Sequence, residues 1–322
     1  MKTNTRKGLQ LAIPIFLALF LGWYAFSKVP FNDLIPYFKS ANYFWIAVSI
    51  FCGILSHISR AYRWNYLLQP LGHQIKLPNS IMAVFAAYLS NYGIPRSGEV
   101  LRAAVVSNYE AVPFEKAFGT IVAERVADML VMLGIIFMTL MLQFEYIITL
   151  LKQSVEPKRV TYLSIVLLAV FLLFVLYLKR SKSPVSSKIK SFLKGLIEGM
   201  LSIFKMKYKW AFIAHTLFIW GMYIVMFYVA TFALPDLNGI TLGMMLVAFI
   251  AATFTIALTN GGVVAYPLAV MAALALFGIP ETPSFAFGWI MWSSQTLMII
   301  VAGIASFLYL PIYNKKAYAD IE

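Results

Sequence analysis

Apolar runs of helical length divide the chain. Segments 9–26, 44–59, 114–144, 160–178, 210–234 and 285–309 approach or exceed the roughly 20 apolar residues with which a helix crosses the hydrocarbon core. Four shorter pieces come in two pairs. Segment 80–94 ends in Asn91-Tyr-Gly-Ile-Pro95 and is followed by 98–108. Segment 240–258 ends in Thr259-Asn-Gly-Gly262 and is followed by 263–277. Gly93 and Pro95 interrupt a helix inside an apolar region, and non-helical backbone at membrane depth is tolerated only where protein buries it or water lines it. The pattern predicts an all-α polytopic membrane protein of about 6–8 transmembrane helices with broken or re-entrant helices, forming a single transmembrane domain over 1–322. Eight spans result if 240–277 crosses twice, six if it is a re-entrant hairpin on the outer side. Leu89-Ser-Asn-Tyr-Gly and Leu258-Thr-Asn-Gly-Gly both place Asn-x-Gly after a short apolar helix, and paired discontinuities in two halves suggest an inverted repeat. The alternative for the second is a plain turn, which Asn-Gly-Gly also fits.

Composition agrees. Hydrophobic residues make up 61% and charged residues 12%, with a mean hydropathy of +0.80, which excludes a soluble enzyme of this length. The net charge of +13 raises nucleic acid as a partner, but the distribution of the cations speaks against it. With a cytoplasmic N-terminus, Lys28, Lys39, Lys152, Lys158 and Arg159 fall outside, Arg125 falls within a span, and the other twenty of 26 lie on the inner side. That bias predicts a bacterial inner-membrane protein, multi-pass, with both termini cytoplasmic. Residues 185–207 form a special case. Ile189, Phe192, Leu193, Leu196, Ile197, Met200, Leu201 and Phe204 recur at helical spacing, with Lys188, Lys190, Lys194 and Lys205 off that stripe. This predicts an amphipathic helix in the cytoplasmic interface, against anionic inner-leaflet lipids, or else a linker helix packed on the bundle.

Several chemistries are not encoded. Cys52 is alone, His57, His73 and His215 are far apart, and no HExxH, GxxxxGK[ST] or GxGxxG run occurs, so neither metal nor cofactor is expected. No small-residue cleavage site follows 9–26, which reads as a retained helix.

The chemistry concentrates in three places. In the first, Gly98 begins a half-helix whose amides face the predicted break, Arg96 and Arg102 suit phosphate oxygens, and Glu99 stands one turn from Arg102. In the second, Glu124 and Asp128 share a face of the span that begins at Phe114, with Arg125 beside it. Charges within a span cost about 3 kcal/mol each, so they should face the bundle, as a structural ion network or as a proton or ligand site. The third is Asn260, Gly261 and Gly262, which match Asn91 and Gly93 in the other half. Arg60 and Arg63, among Tyr62, Trp64 and Tyr66, read as interfacial anchors at a helix end.

Taken in series, Asn91-x-x-x-Pro-Arg-x-Gly-Glu-x-x-Arg102, Glu124-Arg-x-x-Asp128 and the late Gly-Gly break resemble the flippase-like family. This is the transmembrane region of bacterial lysylphosphatidylglycerol synthases and stand-alone relatives, and the resemblance covers nearly the whole chain. It implies a bundle with broken helices that moves or handles lipid-linked headgroups, with Arg96, Glu99, Arg102, Glu124, Arg125 and Asp128 at the family's polar positions. The chain departs from the pattern at Asn260-Gly-Gly-Val-Val-Ala-Tyr-Pro267, where many relatives carry Pro-Gly-Gly-x-Gly and then Glu. No soluble aminoacyl-transfer domain is expected within these 322 residues.

The expected function is flippase-like or scramblase-like handling of a phospholipid or lipid-linked anionic headgroup through a polar cavity between the broken helices, without catalysis. The substrate would be bound by Asn91, Arg96, Glu99, Arg102, Glu124, Arg125, Asp128, Asn260, Gly261 and Gly262. The alternatives are an intramembrane lipid-modifying transferase, using Glu99, Glu124 and Asp128 for acid-base work, and a non-catalytic partner of a lipid-synthesis enzyme.

Overall fold

The computed structural model describes residues 20–94, 97–154, 206–259 and 261–319, with scattered positions between 169 and 190. Expectations for most of 9–26, for 160–178 and for the amphipathic helix at 185–207 lie outside the described residues, as do Pro95, Arg96 and Asn260. Among the described residues the fold is helical throughout, without strands. The helices are α1 (Phe31–Ser40), α2 (Tyr43–Leu68), α3 (Leu77–Gly93), α4 (Ser97–Glu110), α5 (Phe114–Leu142), α6 (Phe144–Ser154), α7 (Lys209–Thr231), α8 (Leu242–Leu258), α9 (Ala265–Ala275) and α10 (Glu281–Ala319). Among the described residues, four stretches are long and apolar enough to cross a membrane: Tyr43–Leu71, Phe114–Leu142, Lys209–Thr231 and Glu281–Lys315. With 17 residues each, α3 and α8 reach about 25 Å, short of a hydrocarbon core near 30 Å. The 11 residues of α9 are far too few to cross alone.

The chain forms two compact units, one of residues 1–124 and 210–322, the other Arg125–Lys209. The second holds the remainder of α5 together with α6.

Within the first unit, α3 packs on α4 and α8 packs on α9, giving two helical hairpins. Helix α10 packs along α3 and α9, and α2 packs on α3. One face of α10 is built for this. A Cβ at Gly288 would stand 2.6 Å from Pro267 Cα, and one at Gly303 would stand 2.6 Å from Leu89 Cβ, so each glycine admits one hairpin at close range. Between them, Trp292 Nε1 donates to the Gly261 carbonyl at 2.7 Å, and Thr296 Oγ1 lies 3.0 Å from the Tyr92 hydroxyl. Residues 288, 292, 296 and 303 recur near helical spacing, which sets them along one side of α10.

Local chemistry explains both breaks. After α3, Ile94 is extended, the Ser97 hydroxyl donates to the Ile94 carbonyl at 2.8 Å, and Gly98 N–H donates to Asn91 Oδ1 at 2.8 Å. Those bonds occupy backbone groups that the helix interruption would otherwise leave open. After α8, Gly261 and Gly262 take left-handed backbone with φ +71° and +73°, and Gly262 N–H donates to Thr259 Oγ1 at 3.1 Å. The base of the first hairpin is tied as well. Glu110, at the end of α4, accepts from Lys76 N–H at 3.1 Å and from Asn79 Nδ2 at 2.6 Å, and Asn79 exchanges amide bonds with Asn314 of α10 at 2.9 and 2.8 Å. The two ends of the α3–α4 hairpin therefore lie side by side.

A Cβ on Gly98 would fall 2.3 Å from the Ala87 carbonyl oxygen, whereas one on Gly93 meets nothing within 4 Å. Gly98→Ala is expected to destabilise by about 1–3 kcal/mol through overpacking. Gly93→Ala should be neutral or slightly stabilising. Comparing their apparent melting temperatures in detergent checks the tight seat of α4 on α3.

Candidate arginine–glutamate site

The buried charge of the first unit converges on Glu124. Its carboxylate sits ten residues into α5, roughly 15 Å from the helix start. Helix α2 supplies Arg60 and Arg63, three positions apart and thus on one face, and α4 supplies Arg102. Arg60 Nη1 donates to Glu124 Oε1 at 2.9 Å, and Arg63 Nη2 donates to the same oxygen at 2.7 Å. Arg102 Nη1 pairs with Oε2 at 3.0 Å. Relative exposures are 3% for Arg60, 0% for Arg63, 5% for Arg102 and 1% for Glu124. Ions this deep persist only when paired, and the carboxylate pairs with three guanidiniums at once, accepting hydrogen bonds from Arg60 and Arg63.

Each arginine also has a holder of its own. Arg63 Nη1 donates to Thr216 Oγ1 at 2.8 Å, and the guanidinium lies 5.2 Å from the Phe212 ring centre, both residues on α7. Arg102 lies 4.0 Å from the Trp64 ring centre. The indole is fixed in turn by donating to Thr120 Oγ1 at 2.8 Å. Arg60 Nη2 makes a long contact, 3.5 Å, with the Tyr223 hydroxyl. Apolar packing surrounds the cluster: Trp64, Leu68, Met82, Ala103, Val106 and Ile121 are buried together.

The structure thus brings Arg102 and Glu124 into contact and joins them to Arg60 and Arg63. The reading of Arg60 and Arg63 as interfacial anchors is incorrect, because α2 continues to Leu68 and carries both inside the bundle. They and Arg102 are also not part of a solvent-facing basic rim. A usable signal was present, since Ser56, His57, Arg60 and Arg63 share one helical face. Asn91 serves as the acceptor for the α4 N-terminus. Glu99 is half-buried in the first turn of α4, where a carboxylate complements the helix dipole. In the second unit, Asp128 is buried and Arg125 is exposed. Gly261 abuts Tyr92, whose ring carbons would be 2.8 Å from a Cβ there, so the tips of the two hairpins touch. Arg96 and Asn260 lie outside the described residues. No group of three His, Cys, Asp or Glu side chains suited to a metal occurs among the described residues.

Long apolar helices, two hairpins of short broken helices and a buried arginine–glutamate cluster define a multi-pass membrane protein that keeps charge within its apolar body. The chain belongs to the family described as the lysylphosphatidylglycerol synthase TM region, which matches residues 11–303. It is similar to a UPF0104 membrane protein of Methanocaldococcus jannaschii, at 26% identity over 152 residues. That match covers 46% of this chain and 44% of the relative, so the chain aligns with under half of that curated protein's length. No solved structure matches it.

Proposed function

We propose that this protein handles, and moves between leaflets, a lipid or lipid-linked substrate with an anionic headgroup, in a flippase- or scramblase-like manner and without catalysis. The supporting observation is the set of three arginines held inside the apolar bundle, beside a hairpin whose helix is broken. Intramembrane ionisable groups are retained for substrate, ion or proton handling, and guanidinium is the side chain that pairs bidentately with phosphate.

In this reading α3–α4 and α8–α9 are re-entrant hairpins of an inverted repeat. Their short helices, the joined ends of α3 and α4, and the contact of Tyr92 with Gly261 support that arrangement. Arg102 and Glu99 of one hairpin, Gly261 and Gly262 of the other, and Glu124 of α5 serve the headgroup route, with Asn91 holding the first break. Arg96, Arg125, Asp128 and Asn260 join them from the sequence pattern alone. With Arg60, Arg63 and Arg102 removed from the rim, seventeen cations still fall on the inner side against five outside. This supports an inner-membrane location with cytoplasmic termini and anionic lipids along 185–207.

The test is reconstitution in liposomes carrying fluorescent phosphatidylglycerol, phosphatidic acid or phosphatidylcholine, with dithionite quenching from outside. Wild-type protein should expose inner-leaflet label above empty liposomes, and a folded Arg102→Gln variant should lose at least tenfold in rate. No exposure by wild type with any headgroup rejects the transport reading.

A further inference from the structure

We propose that the Glu124 carboxylate is a tethered stand-in for phosphate, and that a substrate phosphate enters the arginine cluster by exchanging with it. The inference deepens the headgroup reading above and rests on it for the identity of the ligand.

The geometry separates two kinds of ion cluster. In a simple structural lock, the cations need no anchor besides the shared anion. Here each guanidinium has one: Thr216 and Phe212 for Arg63, Trp64 for Arg102, and the longer Tyr223 contact for Arg60. Trp64 is itself fixed through Thr120. Three cations therefore stay aimed at one point whether or not the carboxylate occupies it, which is preorganisation of an anion receptor. The oxygens of Glu124 divide as those of a bound oxyanion would, one accepting from two arginines and the other paired with the third. A phosphate offers further oxygens to the same donors and up to twice the charge. The four side chains sum to a formal +2, so replacing a monovalent carboxylate with a phosphate monoester suits the cluster electrostatically.

The location adds a second argument. Arg102 is on α4, whose N-terminus is the break held by Asn91, while Arg60 and Arg63 are on a continuous span. The receptor thus joins a short hairpin helix to a full-length one. An exchanging anion bound there would change what ties the hairpin to α2, and so link headgroup capture to hairpin position. While Glu124 is in place, the receptor is occupied by an anion of the chain itself. The recognised chemistry is a phosphate oxyanion, either on a lipid or free.

Thermal unfolding in phosphate-free detergent tests this with four proteins: wild type, Glu124→Asp, Arg102→Gln and Glu115→Gln, an exposed acid on the same helix. The probes are dihexanoyl phosphatidic acid, dihexanoyl phosphatidylcholine and inorganic phosphate. The shortened Glu124→Asp carboxylate should hold the arginines less well. It should melt earlier than wild type, and phosphatidic acid should stabilise it with an apparent affinity at least tenfold tighter than for wild type. Glu115→Gln should respond as wild type, and Arg102→Gln should lose the response. A response to phosphatidic acid alone assigns the receptor to lipid, and an equal response to inorganic phosphate assigns it to the free anion. Both outcomes uphold exchange. If Glu124→Asp melts earlier and no phosphate compound stabilises it more than wild type, the carboxylate is only a lock and the proposal fails. Exchange without lipid movement in liposomes would instead reject transport and leave the receptor standing.

Discussion

Glu124→Ala is expected to lower the unfolding free energy by about 3–5 kcal/mol, the range for removing one partner of a buried ion pair. The loss is set by what remains. Arg60, Arg63 and Arg102 are each at most 5% exposed, and their guanidiniums approach the carboxylate to between 2.7 and 3.0 Å. Without it, three like charges converge in a region that water does not reach. Proteins are stable by only about 5–15 kcal/mol, so the variant should accumulate poorly and melt early. Glu124→Gln keeps one acceptor oxygen and should lose less than Glu124→Ala. Glu115→Ala, exposed on the same helix, should stay within about 0.5 kcal/mol of wild type. The check is the apparent melting temperature in phosphate-free detergent, followed by tryptophan fluorescence. A Glu124→Ala protein that melts with the Glu115→Ala control would mean that the carboxylate is solvated, and would dissolve the cluster as a site.

That cluster was half legible in the sequence, for definite physical reasons. Glu124 and Arg102 stand out because charge inside apolar runs is expensive, whatever the tertiary structure. Arg60 and Arg63 were hidden by their own charge. By hydropathy an apolar run ends at its first arginine, so 44–59 stops before them, although α2 extends nine residues further to Leu68. Hydropathy cannot tell a helix that ends at the membrane surface from one that turns a charged face inward. What tells them apart is a partner, and Glu124 lies more than 60 residues away from both. The choice of Arg102, Arg60 and Arg63 as partners is decided by packing between helices, which periodicity does not encode.

Helix positions were easier, because they depend on local patterns. Segment 114–144 is α5 at Phe114–Leu142, and 240–258 is α8 at Leu242–Leu258. Pro95, Gly93 and the 261–262 glycine pair marked both breaks, since proline and left-handed glycine act on their own backbone. That the two breaks meet was not legible. Tyr92 reads as one more aromatic residue until α10 brings its ring against Gly261.

Gly261→Ala should therefore be among the most damaging substitutions of a single methyl group in this protein. Its φ of +71° costs an alanine about 1–2 kcal/mol, and the new Cβ would lie 2.8 Å from two ring carbons of Tyr92. Displacing that ring, which also holds Thr296 through its hydroxyl, adds overpacking for a total of about 2–4 kcal/mol. The backbone has little room to yield, because Trp292 fixes the Gly261 carbonyl at 2.7 Å. Tyr92→Ala removes the obstructing ring but not the backbone requirement. In the double variant, the methyl group at 261 should then add only its left-handed conformational cost. A double-mutant cycle on apparent stability should show a coupling of about 1–3 kcal/mol, with Tyr92→Ala relieving Gly261→Ala. Strict additivity would mean that the hairpin tips do not touch, and would remove a packing contact that supports the proposed inverted-repeat arrangement of the two hairpins.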